Sequence, residues 1–452
     1  MPPGSQLAVG DCAFQPNPMS ANSVAIDRVE ISCQNRPLHP PEAATTRSFR
    51  GYLFFSALIF VLAGGIFLRV YPSSAFKGVG FDEGLYRGYV NALIQGGLTA
   101  YPDIVDRYIE VQRGLTGSIL PPVRFLYILT AYLWHCVFGS EALASLHDVA
   151  SLFSISTLLL AGIFAWRLKG PSWGLGVAAL MSVAPTQIHM SQHALVDGFF
   201  TFWALLTLWL LWENLRNPRQ PLLLLLYVVS LALLVLTKEN SFFVFVALLA
   251  LMVANRWLQF GTVTKELMVC TFAGPLFGVV GLIFLAGGIE TLVTAYRLSV
   301  GKNFTLNYAI MTGDGPWHRY LVDLLLVSPI ILLLALGTVS RLDRTRTAEW
   351  YLFIFIACSY AIMCNIRYGM NLRYANMWDM PLRFLAFSQL VVLGGYVRRY
   401  RNVVLVAAVA VLCVFELRQY LILSVQYPLY ELVPEGLLRA LHILKLPLAP
   451  GP

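Results

Sequence analysis

Charge is what this sequence has least of. Asp, Glu, Lys and Arg make up 12% of its 452 residues, while 58% are hydrophobic; soluble domains carry roughly 25% charge. A water-soluble fold of that balance would have nothing with which to cover its surface, and the same figures exclude disorder and coiled coil. Metal-ligand spacing is missing too. The seven cysteines (12, 33, 136, 270, 358, 364 and 413) form no CxxC pair, and most lie in apolar stretches. They read as small buried hydrophobes, with no disulfide framework. No GxGxxG, P-loop, HExxH or Ser/His/Asp signature occurs, so nothing points to a nucleotide cofactor or a soluble nucleotide-sugar donor. No internal repeat with a period of roughly 20–50 residues is visible. What remains is an all-α polytopic membrane protein whose few polar residues need a reason to be there.

The formal charge is +8, and much of the excess sits in short clusters between apolar runs: Arg216 and Arg219; Arg341, Arg344 and Arg346; Arg398, Arg399 and Arg401. Short basic loops of this kind mark the cytoplasmic side of a membrane, so the charge is read as topology and no nucleic-acid partner is expected. Residues 1–48, rich in Pro, Ser and Asn, predict a disordered cytoplasmic tail. A transmembrane domain follows over 49–420, opening with an uncleaved span at Tyr52–Val70. Residues 71–120 form a first outer loop, too charged to span but with apolar spacing suited to interfacial helices. Further candidate spans lie at 121–139, 148–168, 172–190, 196–213, 221–237, 241–257, 267–287, 320–339, 349–365, 376–396 and 402–420. Residues 288–319 make a second outer loop and 421–452 a short C-terminal tail. The basic loops fall at alternate turns if 121–139 lies in the interface or re-enters, which gives eleven crossings and an outward C-terminus. The alternative is that 121–139 crosses and 148–168 is interfacial.

With that topology, ionisable residues collect at the outer face: Asp82 and Glu83, His193 and Asp197, Lys238 and Glu239, Arg367 and Arg373. A charge in or beside a bilayer costs about 2.5–3.5 kcal/mol on insertion scales, so each is a functional candidate. Asp82 and Glu83 are adjacent and point in different directions, which suits one carboxylate acting on substrate while its neighbour holds a cation or supports it. The competing reading is an N-cap at Asp82 with Glu83 in the first turn. His193 and Asp197 share a face if their segment is helical. Lys238, and the pair Arg367 and Arg373 flanked by Tyr368 and Tyr374, suit an anionic phosphate; Arg/Tyr anchoring at the interface is the alternative.

The order of these features resembles the lipid-dependent glycosyltransferases of the GT-C fold, in particular the protein O-mannosyltransferase branch that includes bacterial aminoarabinose transferases acting on lipid A. The resemblance covers roughly residues 50–395. It rests on Phe81-Asp-Glu-Gly-Leu-Tyr86, Pro121-Pro122, Phe138-Gly139, Pro185 through Asp197, Thr237-Lys238-Glu239 and Asn371-Leu-Arg-Tyr374, with Pro381 late in the chain. It implies a GT-C-type bundle of about 11–12 transmembrane helices. It would make Asp82 the key catalytic carboxylate, Glu83 its support, and Asp197 a second carboxylate nearby, and the three would be candidates to hold a divalent metal ion. Members usually carry a basic residue immediately before the Pro-Pro pair. Leu120 stands there in this sequence, which leaves Arg124, Arg113 or Arg373, with Lys238, to meet the carrier phosphate. Tyr86, His193, Glu239 and Tyr374 are placed as acceptor-side or supporting residues.

The function so implied is transfer of a monosaccharide, with inversion, from a polyprenyl-phosphate carrier to a hydroxyl on a lipid, glycan or protein acceptor. The expected place is the outer face of a bacterial plasma membrane. Two other classes stand against it: a transporter or flippase of a lipid-linked anion, which inverted repeats and broken midplane helices would favour, and a non-catalytic membrane subunit in which Asp82 and Asp197 are only caps.

Overall fold

The computed structural model describes residues 42–71, 79–304, 306–366 and 370–444, and among them there is helix but no strand. The chain divides into two units, residues 1–52 and 53–452. Of the first, only the helical backbone from 42 is described; the expected disorder of 1–41 lies outside the described residues, while 42–48 are helical.

In chain order the helices are α1 (Glu42–Val70), α2 (Phe81–Gly96), α3 (Tyr101–Gly114), α4 (Phe125–Phe138), α5 (Ala142–Lys169), α6 (Pro171–Ser182) and α7 (Pro185–Ser191). Then come α8 (Val196–Arg216), α9 (Pro221–Val235), α10 (Ser241–Leu258), α11 (Lys265–Leu285), α12 (Ile289–Asn303) and α13 (Asn307–Gly313). The last are α14 (Arg319–Val327), α15 (Pro329–Val339), α16 (Thr347–Met363), α17 (Asp379–Gly395), α18 (Arg401–Tyr420) and α19 (Pro434–Ala440). Among the described residues, six helices are long and apolar enough to cross a membrane: Tyr52–Val70, Ala142–Lys169, Val196–Arg216, Ser241–Leu258, Lys265–Leu285 and Arg398–Gln426. Large apolar side chains of α11, among them Phe272, Leu276, Phe277 and Phe284, are exposed, as lipid-facing surface should be. The protein is an integral multi-pass membrane protein.

Two expected spans are broken. The run 172–190 is α6 followed by α7, and 320–339 is α14 followed by α15. In each case proline begins the second helix, Pro185 and Pro329: proline supplies no N–H and its ring displaces the carbonyl four residues back, so the first turn accommodates it best. The broken ends are satisfied by charge. Arg69, 1% exposed, donates to the carbonyls of Gly65 (2.9 Å), Met181 (2.9 Å) and Ser182 (3.1 Å) and to the Ser154 hydroxyl (3.0 Å). Two of those carbonyls belong to the last turn of α6, whose acceptors have no helical partner. Arg383 of α17 is the second hub. It donates to Asp379 (2.7 Å), to Glu416 of α18 (2.7 Å) and to the Leu180 carbonyl (3.1 Å). Ser328, at the α14–α15 break, donates to the same Glu416 (2.8 Å).

The α9 and α11 pair is packed through glycine. A Cβ at Gly274 would lie 2.6 Å from the Leu231 Cβ, and one at Gly278 would lie 2.7 Å from both the Ala232 carbonyl and the Val235 Cβ. Gly274 and Gly278 are four apart, so the bare stripe lets the two backbones approach, as small-xxx-small pairs do in membranes. Gly278→Val must push the helices apart, and we expect it to destabilise the fold by about 1–3 kcal/mol, read as a lowered melting temperature in detergent.

Candidate active site

The site begins at the first turn of α2. Gly80 is extended at the N-cap, and Glu83 turns back so that one carboxylate oxygen accepts from the Gly80 N–H (2.7 Å). Its other oxygen accepts from the Ala194 N–H (2.8 Å) and faces His193 Nδ1 at 3.2 Å. Burial alone would raise the Glu83 carboxyl, but the hydrogen bonds from His193, Gly80 and Ala194 outweigh it and hold the acid below its ordinary range. Glu83, 2% exposed, therefore does the capping and ties α2 to the turn before α8. Asp82 is free of that duty and lines the cavity. His193 lies in the turn preceding α8, so it does not share a helical face with Asp197, as it would if the segment were helical throughout; the helix starts only at Val196.

A second group of charges gathers from distant segments. Arg373, in a 3₁₀ turn over Leu372–Trp378, donates to Asp82 Oδ2 (2.8 Å) and to the Tyr374 hydroxyl (3.3 Å). Its Nη1 lies 3.3 Å from Glu431 Oε1 and its Nε 3.9 Å from Asp197 Oδ2. Lys238, in the turn between α9 and α10, donates to Asp197 and sits 3.8 Å from the centre of the Tyr374 ring. Burial draws the Lys238 ammonium down to about 8, with Asp197 opposing the fall and Arg124 and Arg373 adding to it. Arg124, just before α4, grips Glu239 with two nitrogens, one at 3.2 Å, and donates to the Tyr86 hydroxyl (2.7 Å).

These residues surround a cavity of about 330 Å³ whose wall includes Asp82, Arg124, Glu239, Arg373, Tyr374 and Glu431, with Phe243, Val300, Leu306 and Met363 on its apolar side. Asp197 and Lys238 are buried and do not form the wall; they stand behind Arg373 and Tyr374. The structure thus brings together ten of the residues singled out from sequence: Asp82, Glu83, Tyr86, Arg124, His193, Asp197, Lys238, Glu239, Arg373 and Tyr374. It does not bring in Arg113, which is exposed at the end of α3 with its carbonyl accepting from Lys302 (3.1 Å). Arg367 lies outside the described residues. Glu431 and Tyr308 were not foreseen.

Asp82, Glu83 and Asp197 do not fit a divalent metal. Arg373 holds Asp82, Lys238 holds Asp197, and both oxygens of Glu83 accept backbone N–H groups. Among the described residues, no group of three or more His, Cys, Asp or Glu side chains is arranged to hold an ion.

The chain resembles a solved archaeal oligosaccharyltransferase from Archaeoglobus fulgidus in its apo form: the TM-score is 0.57 at 14% identity, over 85% of this chain and 57% of that one. The fold is the GT-C fold. This chain spans little more than half the length of that enzyme. The same enzyme in complex with an inhibitory peptide and a dolichol-phosphate aligns with a TM-score of 0.51 at 13% identity, over 85% and 56% of the two chains. Its complex with Zn and sulfate gives 0.52 at 14%, over 80% and 53%. ArnT from Cupriavidus metallidurans, apo, aligns with a TM-score of 0.48 at 14% identity, over 88% and 75%. The family model of dolichyl-phosphate-mannose-protein mannosyltransferase matches residues 146–295, a third of the chain, running from α5 to α12. That stretch of the GT-C fold holds His193, Asp197, Lys238 and Glu239, while Asp82, Arg373 and Glu431 lie outside it. No curated protein sequence matches the chain.

Proposed function

We propose that this protein is a membrane glycosyltransferase that moves a monosaccharide from a polyprenyl-phosphate carrier to an acceptor hydroxyl. The observation that carries the reading is the pairing of Asp82 with Arg373 on the wall of a half-apolar cavity (2.8 Å), 291 residues apart in sequence. A carboxylate held at one oxygen keeps the other for a proton, and a guanidinium beside it meets a phosphate. Phe243, Val300, Leu306 and Met363 give a prenyl chain an apolar wall. The family match and the fold add to this, since the archaeal relative has been solved with a dolichol-phosphate.

In the reaction, the acceptor oxygen attacks the anomeric carbon as the bond from that carbon to the phosphate oxygen breaks, inverting the configuration. Asp82 takes the hydroxyl proton. The carrier leaves as a phosphate monoester with one more negative charge, which Arg373 and Arg124 offset. Lys238 acts from behind: it neutralises Asp197, which would otherwise compete for Arg373. The charges of Asp82 and Asp197 are met by Arg373 and Lys238. The acceptor is a lipid, glycan or protein, and the site faces outward from a bacterial plasma membrane.

Lys238 gives this a pH signature. With its ammonium drawn down to about 8, the charge is present below that pH and lost above it, leaving Asp197 to turn on Arg373. Donor turnover is expected to fall along an alkaline limb near pH 8, and the Lys238→Gln profile to lack that step. The reading itself is tested in proteoliposomes with polyprenyl-phosphate hexose and pentose donors and with lipid, glycan and peptide acceptors. Transfer gives free carrier phosphate and an inverted sugar on the acceptor. Passage of intact donor across the bilayer, with none cleaved, would mean a flippase.

A further inference from the structure

Beyond α18 the chain does not trail away. It continues in a π turn over Leu421–Gln426, places Glu431 on the cavity wall, and is anchored beyond it by Leu432, Leu437 and Ala440, all buried. The stretch between these anchors lies against the catalytic corner through two consecutive residues. Tyr430 packs on the glycine that begins α2: a Cβ at Gly80 would come within 2.3 Å of its ring. Its carbonyl accepts from His189 at 3.1 Å. Glu431 lines the cavity and points at Arg373, with Oε1 3.3 Å from Nη1. The Asn371 amide donates to its other oxygen, and the Tyr308 hydroxyl of α13 bonds the same carboxylate.

Around Arg373 the charges do not balance. Asp82, Asp197 and Glu431 face it, with Lys238 the further cation. Burial works against the Arg373 charge, and Glu431 is the strongest of the charges that offset it, ahead of Asp82 and Asp197. Yet the contact to Glu431 is ionic, with no hydrogen bond formed by Nη1 or Nε. Asp82 already takes the well-aligned N–H on Nη2 (2.8 Å). The carboxylate on Nη1 is therefore held by charge and by its own bonds to Asn371 and Tyr308, and it can part from Arg373 without losing those. A phosphate that formed two aligned hydrogen bonds to the guanidinium would outcompete it.

Resting on the glycosyltransferase reading, we propose that Glu431 is a positioning residue for the donor phosphate: it holds Arg373 beside Asp82 before the donor arrives, yields Nη1 to the carrier phosphate, and retakes it to expel the product. The leaving carrier carries more charge than the donor did, so without a returning carboxylate it would stay bound.

The test uses the full chain purified in nanodiscs and farnesyl phosphate as the probe. Glu431→Gln keeps the shape and still accepts from Asn371, but it removes the competing charge. It is expected to bind farnesyl phosphate about tenfold more tightly than wild type, with Glu431→Asp between the two. In turnover the same variant should lower the donor KM and lower kcat, because release of carrier phosphate slows. A residue that only braced the fold would raise KM or leave it unchanged, and equal or weaker probe binding by Glu431→Gln and Glu431→Asp would overturn the proposal. If wild type bound no probe, the carrier-phosphate reading beneath it would fall, and this inference with it.

Discussion

Asp82→Asn should reduce sugar transfer by about 10³-fold or more while leaving carrier binding nearly intact. General-base catalysis by a positioned side chain contributes roughly 10²–10⁴. Asparagine keeps the size of the side chain, and its amide oxygen can still accept from Arg373 Nη2, so the pair that shapes the cavity wall survives. What disappears is the acceptor of the hydroxyl proton. Glu83 cannot take over: both of its oxygens accept backbone N–H groups and it is 2% exposed. Glu239 is on the wall, but Arg124 holds it with two nitrogens. The loss should fall on kcat, with little change in donor KM. The mirror variant, Glu83→Gln, should act through α2 itself, since one of its oxygens would become an amide facing an N–H; its signature is lowered stability as well as lowered rate.

Arg383→Leu is expected to cost about 3–5 kcal/mol of stability, the range for removing one partner from a buried ion pair. Arg383 is 1% exposed and serves two carboxylates, Asp379 and Glu416, each at 2.7 Å. Without it, both are left in the bundle interior. Glu416 would keep only Ser328, and Asp379 only the Gln187 amide at 2.9 Å. The damage should be a lowered melting temperature and poor yield, with α6, α17 and α18 losing their common tie. Arg383→Leu combined with Glu416→Leu should recover part of the loss, because one stranded charge is then gone. Equal melting temperatures for wild type and Arg383→Leu would show that this network is incidental.

The site charges and the Arg383 network differ in how visible they are before folding. In a chain with 12% charge, a carboxylate or ammonium at the edge of an apolar run stands out, which is why Asp82, Asp197, Lys238 and Arg373 could be singled out by position. Their grouping followed from topology, since each sits at a turn of one parity. Arg383, Asp379 and Glu416 were hidden because they occur inside apolar runs, where nothing local distinguishes a paired charge from a misplaced span boundary. Arg69 falls inside the first apolar run, Tyr52–Val70, and only the end of α6 reveals it as a cap. The breaks at Pro185 and Pro329 were legible in principle, because proline cannot sit in a helix interior without losing a hydrogen bond. Apolar content masked them.

Glu431 was the hardest case. It lies past the last apolar run, in a stretch that reads as a short tail, and its partner Arg373 is 58 positions earlier. What could have found it is the buried pattern Leu432, Leu437 and Ala440, a five- and three-residue spacing that hints at a packed segment rather than a solvated end. Glu83 taught the opposite lesson. Of the adjacent acids, the one in the third position of the helix folds back to cap and the one before it is left to the cavity, a choice set by the geometry of the first turn.

The most direct measurement is release of polyprenyl phosphate by the purified protein in lipid from a polyprenyl-phosphate sugar, with wild type and Asp82→Asn run side by side and carrier binding recorded for both. The account predicts release and a glycosylated acceptor from wild type, none from the variant, and equal carrier binding. Near-normal release by folded Asp82→Asn would contradict it.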